Sequence, residues 1–206
     1  MFVSMEGIDG SGKTTVAKML VERLSARGAN ARYFKTPGQT PIGAHLREML
    51  LNPDVRLARL VPFFLFTADH IQTVAECGLV DGPEDNLIAI CDRYKDSAMV
   101  YQVMAGDIGI REGQILESVL EELLPDPDVT VLFQVKYETA QKRLKTEEFG
   151  KKDRYEDADR VKWESWQRAY LSLPDKYPDR KFVVVEVDNL TAEQVVDKLM
   201  VELFFV

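Results

Sequence analysis

The run Gly7-Ile8-Asp9-Gly10-Ser11-Gly12-Lys13-Thr14 constrains this chain more than any other feature. It is a full G-x-x-x-x-G-K-[ST] match, and its context is the required one. Residues 2–5 ahead of it are apolar and read as a short strand. Behind it Val16, Ala17, Leu20, Val21 and Leu24 recur at helical spacing over residues 14–27, until Gly28 provides a stop. Glycines let such a loop curl until successive N–H groups point at one anion, and the positive end of the following helix adds to that field. Gly7, Asp9, Gly10, Ser11, Gly12, Lys13, Thr14 and Thr15 are therefore candidates for holding a nucleoside triphosphate, with ATP the default. Lys13 is placed to reach the β- and γ-phosphates and the Thr14 hydroxyl to ligate Mg²⁺. By itself the loop does not separate kinases from GTPases or ATPases.

The rest of the chain alternates in the same way. Strands are expected at 31–35, 87–91, 129–135 and 182–187. Helical patterns cover 42–51, 57–76, 97–105, 112–124, 138–145, a segment carrying Trp163, Trp166 and Tyr170, and 191–203, where Thr191 and Gln194 are spaced as a capping box. The stretch Thr36-Pro37-Gly38-Gln39-Thr40-Pro41 is readable only as a loop. Short apolar strands alternating with helices imply an α/β fold: a doubly wound five-stranded parallel sheet flanked by helices, of P-loop NTPase type. No repeat, low-complexity tract or linker divides residues 1–206, which read as one domain.

Composition narrows the function. The net charge of −8 is opposite to that of most nucleic-acid-binding domains, so a nucleic-acid partner is not expected. A nucleotide enzyme must then gather its Lys and Arg in one cleft while the remaining surface stays acidic. The apolar runs fall far short of the ~20 residues that span a bilayer, and the opening residues lack the basic start of a secretory leader. The two cysteines, Cys77 and Cys91, make neither a disulfide framework nor a metal motif. A small-molecule partner in a reducing cytoplasm is the expectation.

Two further signals carry chemistry. Cys91-Asp92-Arg93-Tyr94 closes the third strand; an acid at a strand's carboxyl end beside a phosphate loop suits a magnesium shell, and Arg93 could fork onto an acceptor phosphate. Alternatively these charges only mark the chain's emergence into solvent. Arg143, Lys145, Lys151, Lys152 and Arg154 form a basic stretch that reads either as a solvated face or as a flap over the phosphates, supplying cations and excluding water.

Together these motifs resemble the thymidylate kinase family, in one order along nearly the whole chain. Glu6 through Thr15 is similar to its phosphate loop, and Pro37-Gly38-Gln39-Thr40-Pro41-Ile42-Gly43 to its second loop. Leu65-Phe66-Thr67-Ala68-Asp69 resembles the base-contacting segment, and Asp92-Arg93-Tyr94-Lys95-Asp96-Ser97 with Tyr101-Gln102 its D-R-Y-x-x-S…Y-Q signature. Asp153-Arg154-Tyr155-Glu156 resembles the end of its lid, which would span about 143–156. The resemblance implies transfer of the γ-phosphate of ATP to dTMP, Mg²⁺ held by Thr14 and Asp92, and a homodimer. It implies that Asp9 contacts the acceptor near its sugar and phosphate, Phe66 stacks on thymine, and Arg93 holds the acceptor phosphate with Ser97 nearby. Tyr101 would crowd the 2′ position and Gln102 would lie near the base. Gly10 stands where some members carry a loop arginine, so Arg143 and Arg154 of the lid would supply that cation.

The chain also departs from the family. Lys35-Thr36-Pro37-Gly38-Gln39 replaces Arg-Glu-Pro-Gly-Gly, and lysine keeps the charge without the planar fork. His70 replaces an arginine that donates to a thymine carbonyl, and a neutral imidazole still donates one hydrogen bond with shorter reach. Gln134 stands where many members have Asp. Lys35 and His70 thus join the acceptor-site candidates. The alternatives left open are a kinase for another deoxynucleotide such as dUMP or a modified dUMP, a P-loop nucleotide switch, and a silent paralogue. Phe66 and Tyr101 could equally be core residues, and Ser97 an N-cap.

Overall fold

Five short runs become the strands β1 (Phe2–Gly7), β2 (Asn30–Lys35), β3 (Leu87–Asp92), β4 (Val129–Gln134) and β5 (Phe182–Glu186). The structure is a computed structural model that describes residues 1–79, 86–104, 108–146 and 159–204. All pairings are parallel and the order is β2-β3-β1-β4-β5. Central β1 is buried at every position, whereas the edge strands β2 and β5 alternate between burial and exposure. That difference follows from helices covering both faces of the middle strands.

The helices are α1 (Lys13–Ala26), α2 (Pro41–Leu51), α3 (Val61–Glu76), α4 (Lys95–Ala98), α5 (Ile110–Leu123), α6 (Tyr137–Thr146), α7 (Arg160–Lys176) and α8 (Ala192–Phe204); α4 runs on into a π-helical turn, Met99–Met104. Two apolar clusters form. Val3, Met5 and Ile90 meet Val16 and Leu20 of α1, Trp166 and Leu173 of α7, and Leu199 of α8. Phe2, Leu87 and Ala89 meet Phe63 of α3, Tyr94, and Leu116 and Leu120 of α5. Alternate residues of β1 and β3 fall in different clusters, as the two-residue period of a strand requires.

Two expectations shift. The helix expected over 57–76 begins at Val61, with Pro62 in its first turn, where a missing N–H costs nothing. The residues before it turn instead, with the Asn52 side chain accepting from the Asp54 amide at 2.9 Å. The helix expected from 97 starts at Lys95 with Tyr94 as its N-cap, so Ser97 is not the cap. The capping box at α8 is present: Gln194 Oε1 accepts from the Thr191 amide at 2.9 Å, and Thr191 Oγ1 from the Gln194 amide at 3.2 Å. Both cysteines are free. Among the described residues no helix is long and apolar enough to cross a membrane.

The consequence for function lies at the sheet's carboxyl edge. β1 and β3 are adjacent, so the loop after β1 and the Asp92-Arg93 segment after β3 open side by side, in the crevice where open α/β sheets bind ligands.

Candidate functional site

The loop between β1 and α1 has the backbone an anion cradle needs. Gly10 has φ +77°, and a Cβ there would lie 2.6 Å from the Ala140 carbonyl oxygen of α6, so only glycine fits. Gly12, at φ +91°, is the N-cap of α1. Lys13 is buried; its Nζ donates to the Ile8 carbonyl at 2.7 Å and to Ser11 Oγ at 3.3 Å. Burial, then the Arg93 guanidinium, push its ammonium down to about 8, against the pull of Asp9, Asp92 and Glu6. Thr15 is exposed on the first turn of α1.

Thr14 Oγ1 donates to Asp92 Oδ2 at 2.5 Å, joining the start of α1 to the end of β3. Tyr33 of β2 donates to the same oxygen at 3.0 Å, a partner that sequence reading missed. A hydroxyl and a carboxylate in contact beside a phosphate loop fit Mg²⁺, which takes few protein oxygens and completes its shell with phosphates and water. No cluster of three or more acidic, His or Cys ligands competes for a metal among the described residues.

Arg93 is the centre of the second half. Its φ is +69°, left-handed and unusual for a residue with a side chain. Such a conformation persists only where the surroundings over-determine it, and here they do. The Arg93 amide donates to the Met5 carbonyl at 3.0 Å, and its carbonyl accepts from Thr36 Oγ1 at 2.7 Å. Nη1 donates to the Gly7 carbonyl, Ser97 Oγ and Tyr170 Oη at 3.0, 3.1 and 3.2 Å, and Nη2 to Asp9 Oδ1 at 2.6 Å. The guanidinium also lies over the Tyr101 ring, 5.4 Å from its centroid. Burial would raise the Asp9 carboxyl, but Arg93 and Lys13 hold it below its ordinary range.

Behind this cradle Glu6 is fully buried. It accepts from the Tyr94 amide at 2.7 Å, from Ser97 Oγ at 2.6 Å and from Ser4 Oγ at 3.2 Å. Burial and the neighbouring Asp96 push its carboxyl up to about 7, although Ser97, Arg93 and the Tyr94 amide favour the anion. Glu6 is the one acid on β1, a strand otherwise apolar or small and buried throughout, which is the signal the sequence offers for it.

The expected acceptor residues are brought together in part. Lys35 ends β2 in register with Asp92, and burial and Arg47 lower its pKa. Tyr101 packs edge-on against Trp166 at 4.6 Å, and Gln102 is buried on the π-helical turn. Phe66 is half-buried on α3, one turn before His70. The His70 ring packs against Tyr94 at 5.4 Å; both its nitrogens are buried without a hydrogen-bond partner, and burial drives its pKa down to about 3. His70 is thus a neutral imidazole with unspent polar atoms. Its neighbour Asp69 accepts from the Gly38 amide at 3.0 Å, so α3 also holds the loop after β2. Arg143, on α6, donates to the Gly10, Ser11 and Val187 carbonyls at 3.4, 3.3 and 2.8 Å. Arg154 and the 147–156 part of the expected lid lie outside the described residues.

Lys13, Lys35, Arg93 and Arg143 all stand at the sheet's carboxyl edge, so positive charge is gathered in one place on an acidic protein. A phosphate cradle facing a pre-held arginine across that edge is the arrangement of P-loop kinases, which need positioning and charge neutralisation rather than covalent chemistry. The comparisons place it within that class. The family model described as thymidylate kinase matches residues 5–199, and the chain belongs to the thymidylate kinase family. It is 32% identical to the thymidylate kinase of Thermoanaerobacter sp. (strain X514), covering 90% of this chain and 88% of that one. It is 34% identical to that of Desulforapulum autotrophicum, covering 97% and 89%. A solved thymidylate kinase from Candida albicans superposes with a TM-score of 0.73 at 26% identity, over 97% of this chain and 90% of that one.

Proposed function

We propose that this chain transfers the γ-phosphate of ATP to dTMP, giving dTDP and ADP, and does so as one kinase domain. Family membership supports the activity. Within the structure the observation that carries the reading is the Arg93 cradle facing the phosphate loop: a cation with fixed planar geometry, set where a second phosphate would enter.

The mechanism follows from the residues. The phosphate loop and Lys13 bind the donor's phosphates and take up charge as it develops on the transferred group. Thr14 and Asp92 would hold Mg²⁺, which neutralises the β- and γ-oxygens when bound. Arg93 orients the acceptor phosphate, with Asp9 fixing the guanidinium. Arg143 and Arg154 are proposed as further cations around the transferred group. The acceptor phosphate is ionised at neutral pH and attacks without a dedicated general base. Thymine recognition is assigned to Phe66, His70 and Gln102, with Tyr101 set against a 2′-hydroxyl.

A homodimer is proposed on the exposed apolar side chains of α2 and α3. Ile42 and Met49 of α2, and Val61, Phe64 and Ile71 of α3, remain open to solvent, Phe64 by 51%. Sedimentation equilibrium tests this, and a monomer at micromolar concentration would refute it. A cytoplasmic location suits the substrates.

The activity is tested by ADP release with ATP and Mg²⁺ against dTMP, dUMP, UMP, dGMP, dCMP and thymidine. Preference for dTMP is expected. Turnover of a different monophosphate would overturn the acceptor assignment, and acceptor-independent ADP release would overturn the transferase itself.

A further inference from the structure

Phe2, Ser4 and Glu6 share one face of β1 by the strand's period of two, and that face is buried. A carboxylate there is costly unless hydrogen-bonded; besides Ser4 on its own strand, the partners of Glu6 lie in the segment that presents Arg93. Oε1 takes the amide of Tyr94, the residue immediately after the left-handed Arg93 backbone. Oε2 takes the Ser97 hydroxyl proton. A hydroxyl has only one proton, so Ser97 Oγ, having donated to Glu6, turns its lone pairs outward. One meets Arg93 Nη1 at 3.1 Å and the other Tyr170 Oη at 2.8 Å. Glu6 therefore holds the arginine at both ends, its backbone turn directly and its guanidinium through Ser97.

We propose that Glu6 is a positioning residue for the acceptor phosphate: a carboxyl group beneath the site that fixes the Tyr94 turn and orders Ser97 as an acceptor for Arg93. The role rests on the kinase reading above, because it acts through the arginine assigned to that phosphate. Glu6 itself touches neither substrate. It sets the angle at which the guanidinium meets one.

Glu6→Gln keeps the size of the side chain and an acceptor for the Tyr94 amide but replaces the oxygen that takes the Ser97 proton with an N–H donor. Loss of that buried bond is expected to raise the KM for dTMP about tenfold. The KM for ATP should stay within about twofold, since uniform binding to the other substrate is untouched. Calorimetric titration of thymidine, which lacks the phosphate, should give an unchanged Kd. Equal weakening of dTMP and thymidine, or no change in either, would overturn the proposal. If Glu6→Gln does not fold, Ser97→Ala carries the same readouts, because it removes the link to Arg93 and leaves the Tyr94 bond in place. Should the unaltered protein turn over a monophosphate other than dTMP, that nucleotide and its nucleoside replace the pair. The kinase assignment and the positioning role thus fail by different results.

Discussion

Asp9 Oδ1 and Arg93 Nη2 stand 2.6 Å apart, so the arginine assigned to the acceptor phosphate is held by a carboxylate before any substrate arrives. The pair joins the loop after β1 to the end of β3. A phosphate approaching Arg93 meets a guanidinium whose orientation is set, with Nη1 bonded to the Gly7 carbonyl, Ser97 and Tyr170. Arg93→Lys keeps the charge and loses the fork. Its kcat/KM for the acceptor should fall about 10²- to 10³-fold, the size of effect seen when one pre-aligned donor is removed. Steady-state kinetics with dTMP varied at saturating ATP measures this, and a change below about threefold would remove Arg93 from the phosphate's contacts.

Lys13→Ala should abolish turnover while leaving the fold. Among the described residues the Lys13 ammonium bonds within its own loop, to Ile8 and Ser11, and to no distant element. A normal circular dichroism spectrum with kcat lowered at least about 10³-fold is expected for loss of a cation at the transferred group. Near-normal kcat would refute the mechanism.

His70 makes stability depend on pH in a definite direction. Its pKa in the fold is about 3 against an ordinary value near 6.5. Below pH 6.5 the unfolded chain therefore takes up a proton that the folded chain refuses. The stability this residue contributes is present above pH 6.5 and is lost as pH falls toward 3. His70→Phe should gain on the unaltered protein by about 1.4 kcal/mol for each pH unit below 6.5. Urea titrations at pH 7.0, 6.0 and 5.0 would show the gap widening; a constant gap would mean the ring is not buried neutral.

Asp96 and Arg180 form a two-bond ion pair at 2.8 and 2.6 Å, with Asp96 almost fully buried. Asp96→Ala would leave the guanidinium without its main counter-charge, a loss of about 3–5 kcal/mol for a buried pair. Thermal unfolding should register it as a fall in Tm. Little change would show that water already screens the pair.

Most of the sheet and the local geometry of the loop after β1 were legible in the sequence, because their signals are local. The loop after β1, the acid and arginine ending β3, and the capping box at α8 each lie within a few residues of one another, and the structure forms them there. The hidden parts depend on partners far away in the chain. Tyr33 reaches Asp92 across 59 residues, and Tyr170 reaches Arg93 across 77. Glu6 meets Tyr94 and Ser97 across 88 and 91. No periodicity announces such pairs, although a single acid on a buried strand hints that one exists. The early start expected for α3 had a different cause: Leu57 and Leu60 continue the helix's apolar rhythm outside it, and Pro62 marked the true first turn.

The left-handed backbone at Arg93 also bears on how this molecule could be made hardier. Screens for thermal robustness begin with non-glycine residues of positive φ, since glycine there relieves about 1 kcal/mol of strain. At position 93 that exchange would delete the guanidinium assigned to the acceptor phosphate. Backbone comfort and phosphate chemistry ask for different residues at this one position. An engineer seeking a tougher variant should leave it alone and look first to Asn86, where φ is +67° and no phosphate contact is assigned.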